Sequence, residues 1–162
     1  MQKSNTKNIL AMPRLVKITV NTGVGRIRDA KPREEIVRDF ALIVGQKPLP
    51  TLAKKSIAAF KTREGMVIGY KATLRGTRMR DFFDRLIHIA FPRTRDFRGI
   101  KEEALDERGN LTIGISEHVV FPEVDTEHSF TPFGFEISMT TTAKTREEAL
   151  TFFRSLGVPF QK

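Results

Sequence analysis

Clustered cationic side chains are the residues of this 162-residue chain whose type and spacing favour a definite chemistry. The segment 53–65, AKKSIAAFKTREG, surrounds the apolar Ile57 and Phe60 with lysines and an arginine, and it fits neither a strand nor a helix period. In such a loop the cations contact phosphates while apolar side chains pack on sugars or bases, which is typical of contact with structured RNA. A short amphipathic helix packed on the core is the alternative.

A second cationic cluster follows in the sequence PRTRDFRG at 92–99, which contains Arg93, Arg95 and Arg98. Guanidinium groups at this density fit phosphate groups bidentately and would otherwise repel one another. The pattern therefore indicates a phosphate contact. The alternative is a structural role in which the arginines pair with the acidic segment KEEALDERGN at 101–110.

The charge is divided unevenly along the chain, which has a net charge of +9 and a pI near 10.2. Residues 1–100 hold 22 basic and 8 acidic side chains, a net charge of +14, whereas residues 101–162 hold 6 and 11, a net charge of −5. This asymmetry predicts a polyanion-binding surface built from the first hundred residues. The acidic remainder is expected to face water or a basic partner.

The sequence predicts neither an enzyme nor a cofactor or metal site. Gly23 and Gly25 are followed by Arg28 where a dinucleotide motif needs its third glycine, and no Walker lysine motif occurs. Cysteine is absent and the three histidines share no metal-ligand spacing. His88 stands among apolar residues, which favours a core or boundary histidine. The acidic run at 101–110 is typical of a solvated loop or helix start.

Composition and length predict one globular domain over residues 1–162, with residues 1–10 as a flexible or extended tail. Hydrophobic residues make up 40% of the chain and charged residues 29%, which excludes a disordered tail or a membrane protein. No apolar run approaches the roughly 20 residues that span a bilayer, and the first ten residues lack a signal-peptide pattern. We therefore expect a cytoplasmic protein without a membrane partner.

The sequence predicts three helices in the scaffold that positions these cationic segments. The first is predicted over 32–44, between Pro32 and Gly45, and the second over 79–91, stopped by Pro92. The third begins at Thr145, which stands three residues before a glutamate and forms a capping box. Its expected buried residues are Ala149, Phe152, Phe153 and Leu156.

Alternation of apolar and polar residues predicts strands over 14–21, 66–75, 111–116 and 135–140. In the first strand Val16, Ile18 and Val20 are expected to share the buried side. The simplest architecture is an α+β fold of two layers, an antiparallel sheet with helices packed on one face and the other face open for RNA. The open face would carry Lys17, Thr19, Asn21, Lys71, Thr73 and Arg75. An ordinary solvated sheet face is the alternative.

At these same residues the chain resembles a known family, the bacterial large-subunit ribosomal protein numbered five, which binds 5S ribosomal RNA. The matching segments, in the family's order and at its approximate spacing, are PRLVKITVNTGVG, VGQKP, AKKSIAAFKTREG, ATLRG, PRTRDFRG, RGNLTIGISE, VVFPE and TTTAKT. The resemblance covers nearly everything from Met12 to Lys162. Compared with the family, this chain looks like a short form without the usual N-terminal helix, because it starts only a dozen residues ahead of Pro13.

The resemblance also implies residue roles. For 5S ribosomal RNA it implies principal contacts at Asn21, Gln46 and Thr73, supported by Lys17, Thr22, Gly23, Lys47 and Lys71. For transfer RNA in the P site it implies Lys54, Lys55, Ser56, Ile57, Ala58, Ala59, Phe60 and Lys61. For 23S ribosomal RNA it implies Arg93, Arg95 and Arg98.

The function that the resemblance implies is that of a structural constituent of the large ribosomal subunit, with no cofactor. Its expected partners besides RNA are neighbouring proteins of the central protuberance and the small-subunit ribosomal protein numbered thirteen, which the acidic later part of the chain would meet in an intersubunit bridge. A free-standing RNA-binding regulator is the alternative function.

Overall fold

A single antiparallel sheet of five strands organises the molecule. The computed structural model describes residues 12–27, 29–125 and 131–161, and the tail expected over 1–10 lies outside them. The strands are β1 (Leu15–Gly23), β2 (Leu49–Leu52), β3 (Val67–Leu74), β4 (Leu111–Ile115) and β5 (Phe135–Thr141). Their spatial order is β2-β3-β1-β5-β4, with every neighbouring pair antiparallel. The α+β fold predicted from the sequence is confirmed.

Four α-helical segments occur in the described residues: α1 (Ala30–Val44), α2 (Gly76–Arg85), α3 (Phe91–Arg93) and α4 (Arg146–Ser155). A π-helical turn, Leu86–Ala90, joins α2 to α3, so this helical stretch is longer than the 79–91 expected. Pro92 does not stop it, because proline is tolerated in the first turn of the short α3. No helix among the described residues has the length and apolar character to cross a membrane.

His88 lies in the π-helical turn and is exposed, so the expectation of a core or boundary histidine is wrong. Its Nδ1 atom is 2.9 Å from the backbone oxygen of Asp84, one turn earlier. The neighbouring Leu86, Ile87 and Ala90 are buried instead. The extra residue of a π turn rotates the helical face, which periodicity of 3.6 residues does not anticipate.

The buried side of β1 departs from strict alternation near its start. Ile18 and Val20 are fully buried as expected, but Val16 is 42% exposed. The register against β5 shifts between Leu15 and Lys17, and such a bulge turns the residues before it to the other face. The expectation that Val16 shares the buried side is therefore wrong.

The other three predicted strands keep their alternation. Their buried hydrophobic residues are Ala72 and Leu74 in β3, Leu111, Ile113 and Ile115 in β4, and Phe135, Ile137 and Met139 in β5. Since successive side chains of a strand point to opposite faces, the residues between these point away from the helices.

Strand β2 was not predicted, because it has only four residues and includes Pro50. It lies at the sheet edge beside β3, where the missing N–H of a proline is tolerated. Leu49 is 64% and Leu52 is 52% exposed. At the opposite edge, Leu105 forms an isolated antiparallel bridge with Leu111 of β4.

Aromatic side chains join the helices to the sheet. Phe40 of α1 meets Phe135 of β5 edge-on, with ring centroids 6.4 Å apart. Phe82 of α2 stacks on Phe121 at 5.8 Å, and Phe121 contacts Phe135 at 5.7 Å. Burying one such ring contributes about 1.5–3 kcal/mol. The core therefore lies on one side of the sheet only.

Helix α4 begins as the sequence predicts. The Thr145 hydroxyl accepts a hydrogen bond from the Glu148 backbone N–H at 3.3 Å, while the Glu148 carboxylate accepts one from the Lys144 N–H at 3.0 Å. In the usual capping box the glutamate accepts from the N–H of the N-cap residue itself, whereas here it accepts from the residue before it. Ala149 and Phe153 are buried, Phe152 is half-buried, and Leu156 is 38% exposed, so its expected burial is wrong.

Candidate nucleic-acid interface

The open sheet face is organised in rows, because antiparallel pairing places residues of neighbouring strands directly side by side. One row runs across all five strands through Leu49, Lys71, Asn21, Glu136 and Gly114. All five of these residues are exposed. The row therefore presents a cation, an amide and a carboxylate on neighbouring central strands.

The next row contains side-chain hydroxyl groups. It runs through Thr73, Thr19, Ser138 and Thr112. Thr112 and Ser138 lie within hydrogen-bond distance of each other, with hydroxyl oxygens 3.3 Å apart. Beyond this row, Lys17 of β1 pairs with Thr140 of β5. Hydroxyl groups both donate and accept, so this part of the face can bond phosphate oxygens or ribose hydroxyls.

The turn after α1 brings Gln46 to the edge of this face. Gly45 ends the helix in the left-handed conformation, with a φ of 71°, which favours glycine. The Gln46 carboxamide then donates from Nε2 to the Thr73 backbone oxygen at 3.1 Å. Lys47 follows and is exposed. The structure thus places Gln46 and Thr73, which are far apart in the sequence, in direct contact.

Thr22 differs from the other residues assigned to 5S ribosomal RNA, because its side chain lies on the helix-covered side of the sheet. It is 1% exposed, and its hydroxyl donates to the Gly134 backbone oxygen at 2.8 Å. The sheet therefore does not bring the Thr22 side chain to the open face. Gly23, the next residue, is exposed there.

The segment 53–65 forms a closed loop rather than a helix packed on the core. Ile57 and Thr62 exchange two backbone hydrogen bonds, at 2.9 and 3.1 Å, around a single 3₁₀ turn (Ala58–Phe60). No residue of that turn is buried, and Phe60 is 75% exposed. The interpretation as an amphipathic helix packed on the core is therefore wrong. The cations Lys54, Lys55, Lys61 and Arg63 are all exposed.

At its base the loop is attached to the sheet through backbone bonds. The Ala53 N–H donates to the Met66 oxygen at 2.8 Å, and the Gly65 N–H donates to the Ala53 oxygen at 3.0 Å. Ala53 is buried, while all residues from 54 to 61 are exposed. The loop therefore projects from a fixed base between the end of β2 and the start of β3.

In the cationic segment 92–99, an aromatic pair fixes the backbone. Phe97 stacks on Phe91, with ring centroids 4.8 Å apart and planes 6° from parallel. Arg93, Arg95 and Arg98 are exposed around this pair. The stack therefore turns the three guanidinium groups toward solvent.

The acidic segment 101–110 pairs with other arginines. The Glu102 carboxylate accepts a hydrogen bond from Arg154 at 2.7 Å, and the Glu102 backbone oxygen accepts one from Arg146 at 2.8 Å. Among the described residues, no ion pair joins this segment to the arginines of 92–99. The interpretation of those arginines as a structural tie to it therefore has no support in the structure.

In the part of the chain that the structure describes, the pKa values of two titratable groups are shifted, and both groups belong to the scaffold. Burial would raise the pKa of Asp106, but hydrogen bonds from Asn110 and from the Arg108 backbone, with the Arg108 charge, lower it overall. Burial lowers the pKa of His118, and the Asp39 charge offsets part of this effect. The His118 ring stacks on Phe133 at 4.2 Å. The described residues contain no cluster of three or more His, Asp or Glu suited to a metal ion.

Alternation in β5 puts Glu136 on the polar side of its strand, but the sequence alone does not place it on the open face beside Asn21. The missing information was the strand order, which places β5 next to β1 and Glu136 next to Asn21. Leu49 and Thr51 of β2 were missed because that strand was not predicted.

An antiparallel sheet with a helix-covered face, an open polar face and projecting cationic segments makes the molecule an α+β protein whose surface chemistry suits contact with RNA. Two family models match the chain: "Ribosomal protein L5" over residues 8–63, and the model of the C-terminus of the same ribosomal protein family over residues 67–160. The chain belongs to the ribosomal protein L5 family.

Individual relatives agree with this assignment. The chain is similar to the large ribosomal subunit protein uL5 of Syntrophomonas wolfei, with 49% identity over 99% of this chain and 91% of that protein. It is also similar to the uL5 proteins of Dichelobacter nodosus, with 49% identity over 96% and 87%, and of Desulforamulus reducens, with 48% over 100% and 90%. The chain is thus a structural constituent of the large ribosomal subunit in the cytoplasm and not an enzyme.

Proposed function

We propose that the chain is a single domain that binds 5S ribosomal RNA in the central protuberance through its open sheet face. The observation that carries this proposal is the placement of Asn21, Lys71 and Thr73 at paired positions of β1 and β3, with Gln46 bonded at the edge. Donors and cations held by a sheet ladder match the phosphate oxygens and 2′-hydroxyls of an RNA helix.

The loop at 53–65 contacts P-site transfer RNA in this proposal. Its projection from a fixed base and the 75% exposure of Phe60 support a contact with a partner outside the sheet face. Lys54, Lys55 and Lys61 would meet phosphates while Ile57 and Phe60 pack on sugars or bases.

The segment 92–99 contacts 23S ribosomal RNA in this proposal. The exposed Arg93, Arg95 and Arg98 are positioned by the stack of Phe97 on Phe91. Guanidinium groups held in this way can bond phosphate oxygens in pairs.

The acidic part of the chain faces protein in this proposal. Residues 101–162 carry a net charge of −5, which suits a basic partner at the subunit interface. That partner is the small-subunit ribosomal protein numbered thirteen, and other proteins of the central protuberance are the remaining neighbours.

A filter-binding titration tests the 5S assignment. The purified chain is titrated with 5S ribosomal RNA and with an unrelated structured RNA of matched length, each at two salt concentrations. Because non-specific attraction falls steeply with salt, we expect a preference for 5S ribosomal RNA that persists at the higher salt. Equal binding of both RNAs that collapses with salt would contradict the proposal.

A further inference from the structure

Among the described residues, Glu136 is the only acidic residue in a strand, and it lies on the same face as the two strand lysines, Lys17 and Lys71. It pairs with Asn21 of β1 on one side and with Gly114 of β4 on the other. No heavy atom lies within 4 Å of the position that a Gly114 side chain would take. The Glu136 carboxylate is therefore exposed on the open face, beside the central strand β1, and accessible from the β4 side.

Glu136 contributes little to holding the fold. The one hydrogen bond found for its carboxylate comes from the Ser138 hydroxyl at 3.5 Å, the long limit of such bonds. Within the described ranges 12–27, 29–125 and 131–161, no ion pair involves Glu136. The scaffold therefore gives no reason for a carboxylate on a face proposed to bind a polyanion.

A carboxylate on such a face repels every phosphate, so it weakens binding of any RNA that offers nothing in return. It is also a pure acceptor of hydrogen bonds. The RNA groups that can donate to it from a minor groove are the 2′-hydroxyl and the exocyclic amino group of guanine. An RNA that places such a donor at Glu136 is favoured over one that places a phosphate there.

We propose that Glu136 is a specificity-determining residue, which accepts a hydrogen bond from a minor-groove donor of the bound RNA and disfavours RNAs that lack it. This inference rests on the proposed binding of 5S ribosomal RNA to the open face. Lys71, Asn21 and Glu136 occupy successive strands, so the lysine and the carboxylate are separated by two strand spacings, about 10 Å. This row of three residues thus orients the RNA, with a phosphate toward Lys71 and a minor-groove edge toward Glu136.

Two substitutions at Glu136 distinguish the effect of its hydrogen-bond acceptor from the effect of its negative charge. Glu136→Ala removes both, and we expect it to weaken 5S binding about tenfold while strengthening binding of the unrelated structured RNA. Glu136→Gln keeps an acceptor oxygen and loses the charge, so we expect 5S binding within about threefold of wild type. Glu103→Gln, an exposed acid outside the sheet, is the matched charge control. Thermal melts verify that every variant folds.

Nucleotide-analogue interference then identifies the donor. Inosine, which lacks the guanine amino group, and 2′-deoxynucleotides are incorporated sparsely into 5S ribosomal RNA, and the positions that impair binding are mapped. We expect wild-type protein to show a position of interference that Glu136→Ala no longer shows. Suppression of an inosine position assigns the amino group, and suppression of a 2′-deoxy position assigns the hydroxyl.

The outcomes are distinguishable. Wild-type protein without any preference for 5S ribosomal RNA would overturn the proposed face, and with it the role of Glu136. A normal preference in wild type that Glu136→Ala leaves unchanged, or equal strengthening of both RNAs, would overturn only the role of Glu136. Loss of preference with no suppressed analogue position would also overturn it, because the carboxylate would then act without a direct RNA donor.

Discussion

The open sheet face and the loop at 53–65 both present cations, but they hold them differently. On the sheet face, short polar groups and lysines are fixed by strand pairing, and Gln46 is bonded to the Thr73 backbone. In the loop, long side chains and the exposed Phe60 surround one 3₁₀ turn that is closed by backbone bonds between Ile57 and Thr62. A fixed surface suits recognition of one RNA shape, whereas an exposed loop suits a partner that changes during translation.

The largest difference should appear when phenylalanine is replaced by alanine in the core beneath the sheet face and in the loop. Phe40→Ala removes a ring that is 0% exposed beneath the sheet, and we expect it to lower the free energy of unfolding by about 3–5 kcal/mol. Phe60→Ala removes a ring that is 75% exposed, and we expect a change within roughly 0.5 kcal/mol. Urea titrations measure both. A large loss of stability in Phe60→Ala would mean that the loop is part of the core.

Single substitutions on the sheet face should come next in size. Asn21→Ala, Gln46→Ala and Thr73→Ala are each expected to weaken 5S binding by about 1–3 kcal/mol, because a buried RNA partner would be left without its hydrogen bond. Thr73→Ala removes the side-chain hydroxyl but keeps the backbone oxygen that accepts from Gln46. Its effect therefore measures the hydroxyl alone. Filter binding measures the effect.

Phe60→Ala serves as the control for these three variants, since it should leave 5S binding unchanged if the two regions have separate partners. Wild-type affinity in all three sheet-face variants would place the 5S contact elsewhere on the molecule.

The smallest effect is expected from the loop cations. Lys54→Ala combined with Lys55→Ala should spare 5S binding and weaken retention of P-site transfer RNA on assembled ribosomes, by on the order of 1 kcal/mol, because exposed charge contacts are screened. Lys31→Ala combined with Lys101→Ala removes the same charge from exposed positions outside the loop. Normal retention in the loop variant would contradict the transfer RNA assignment, and weakened 5S binding would remove the distinction between the two regions.

Much of the fold could be predicted from periodicity, since β3, β4 and β5 keep the alternation that the sequence shows. The departures occur where a regular period is interrupted or where strand pairing overrides a local pattern. A bulge reverses Val16, a π turn exposes His88, and pairing with β3 makes a strand of the proline-containing β2. The bulge and the β2 pairing depend on a neighbouring strand, and the π turn changes the helical period, so regular periodicity predicts none of the three.

The candidate site, like the fold, could be predicted from the sequence only in part. Alternation alone placed Lys17, Lys71 and Thr73 on one face, and family resemblance added Gln46, whose bond to Thr73 spans residues far apart in the sequence. Strand order was needed to place Glu136 beside Asn21. Alternation continued past Val20 places the Thr22 side chain on the buried side, where its hydroxyl bonds the Gly134 oxygen, so only the resemblance had assigned Thr22 to RNA.

The two edges of the sheet affect how the free chain behaves before it is assembled into a ribosome. Unpaired strand edges are templates on which identical chains add to one another and aggregate. Here Pro50 offers no N–H at the β2 edge, and Leu105 occupies a pairing position beside Leu111 at the β4 edge. Both features oppose strand-to-strand polymerisation of a newly made chain while its open sheet face is still uncovered.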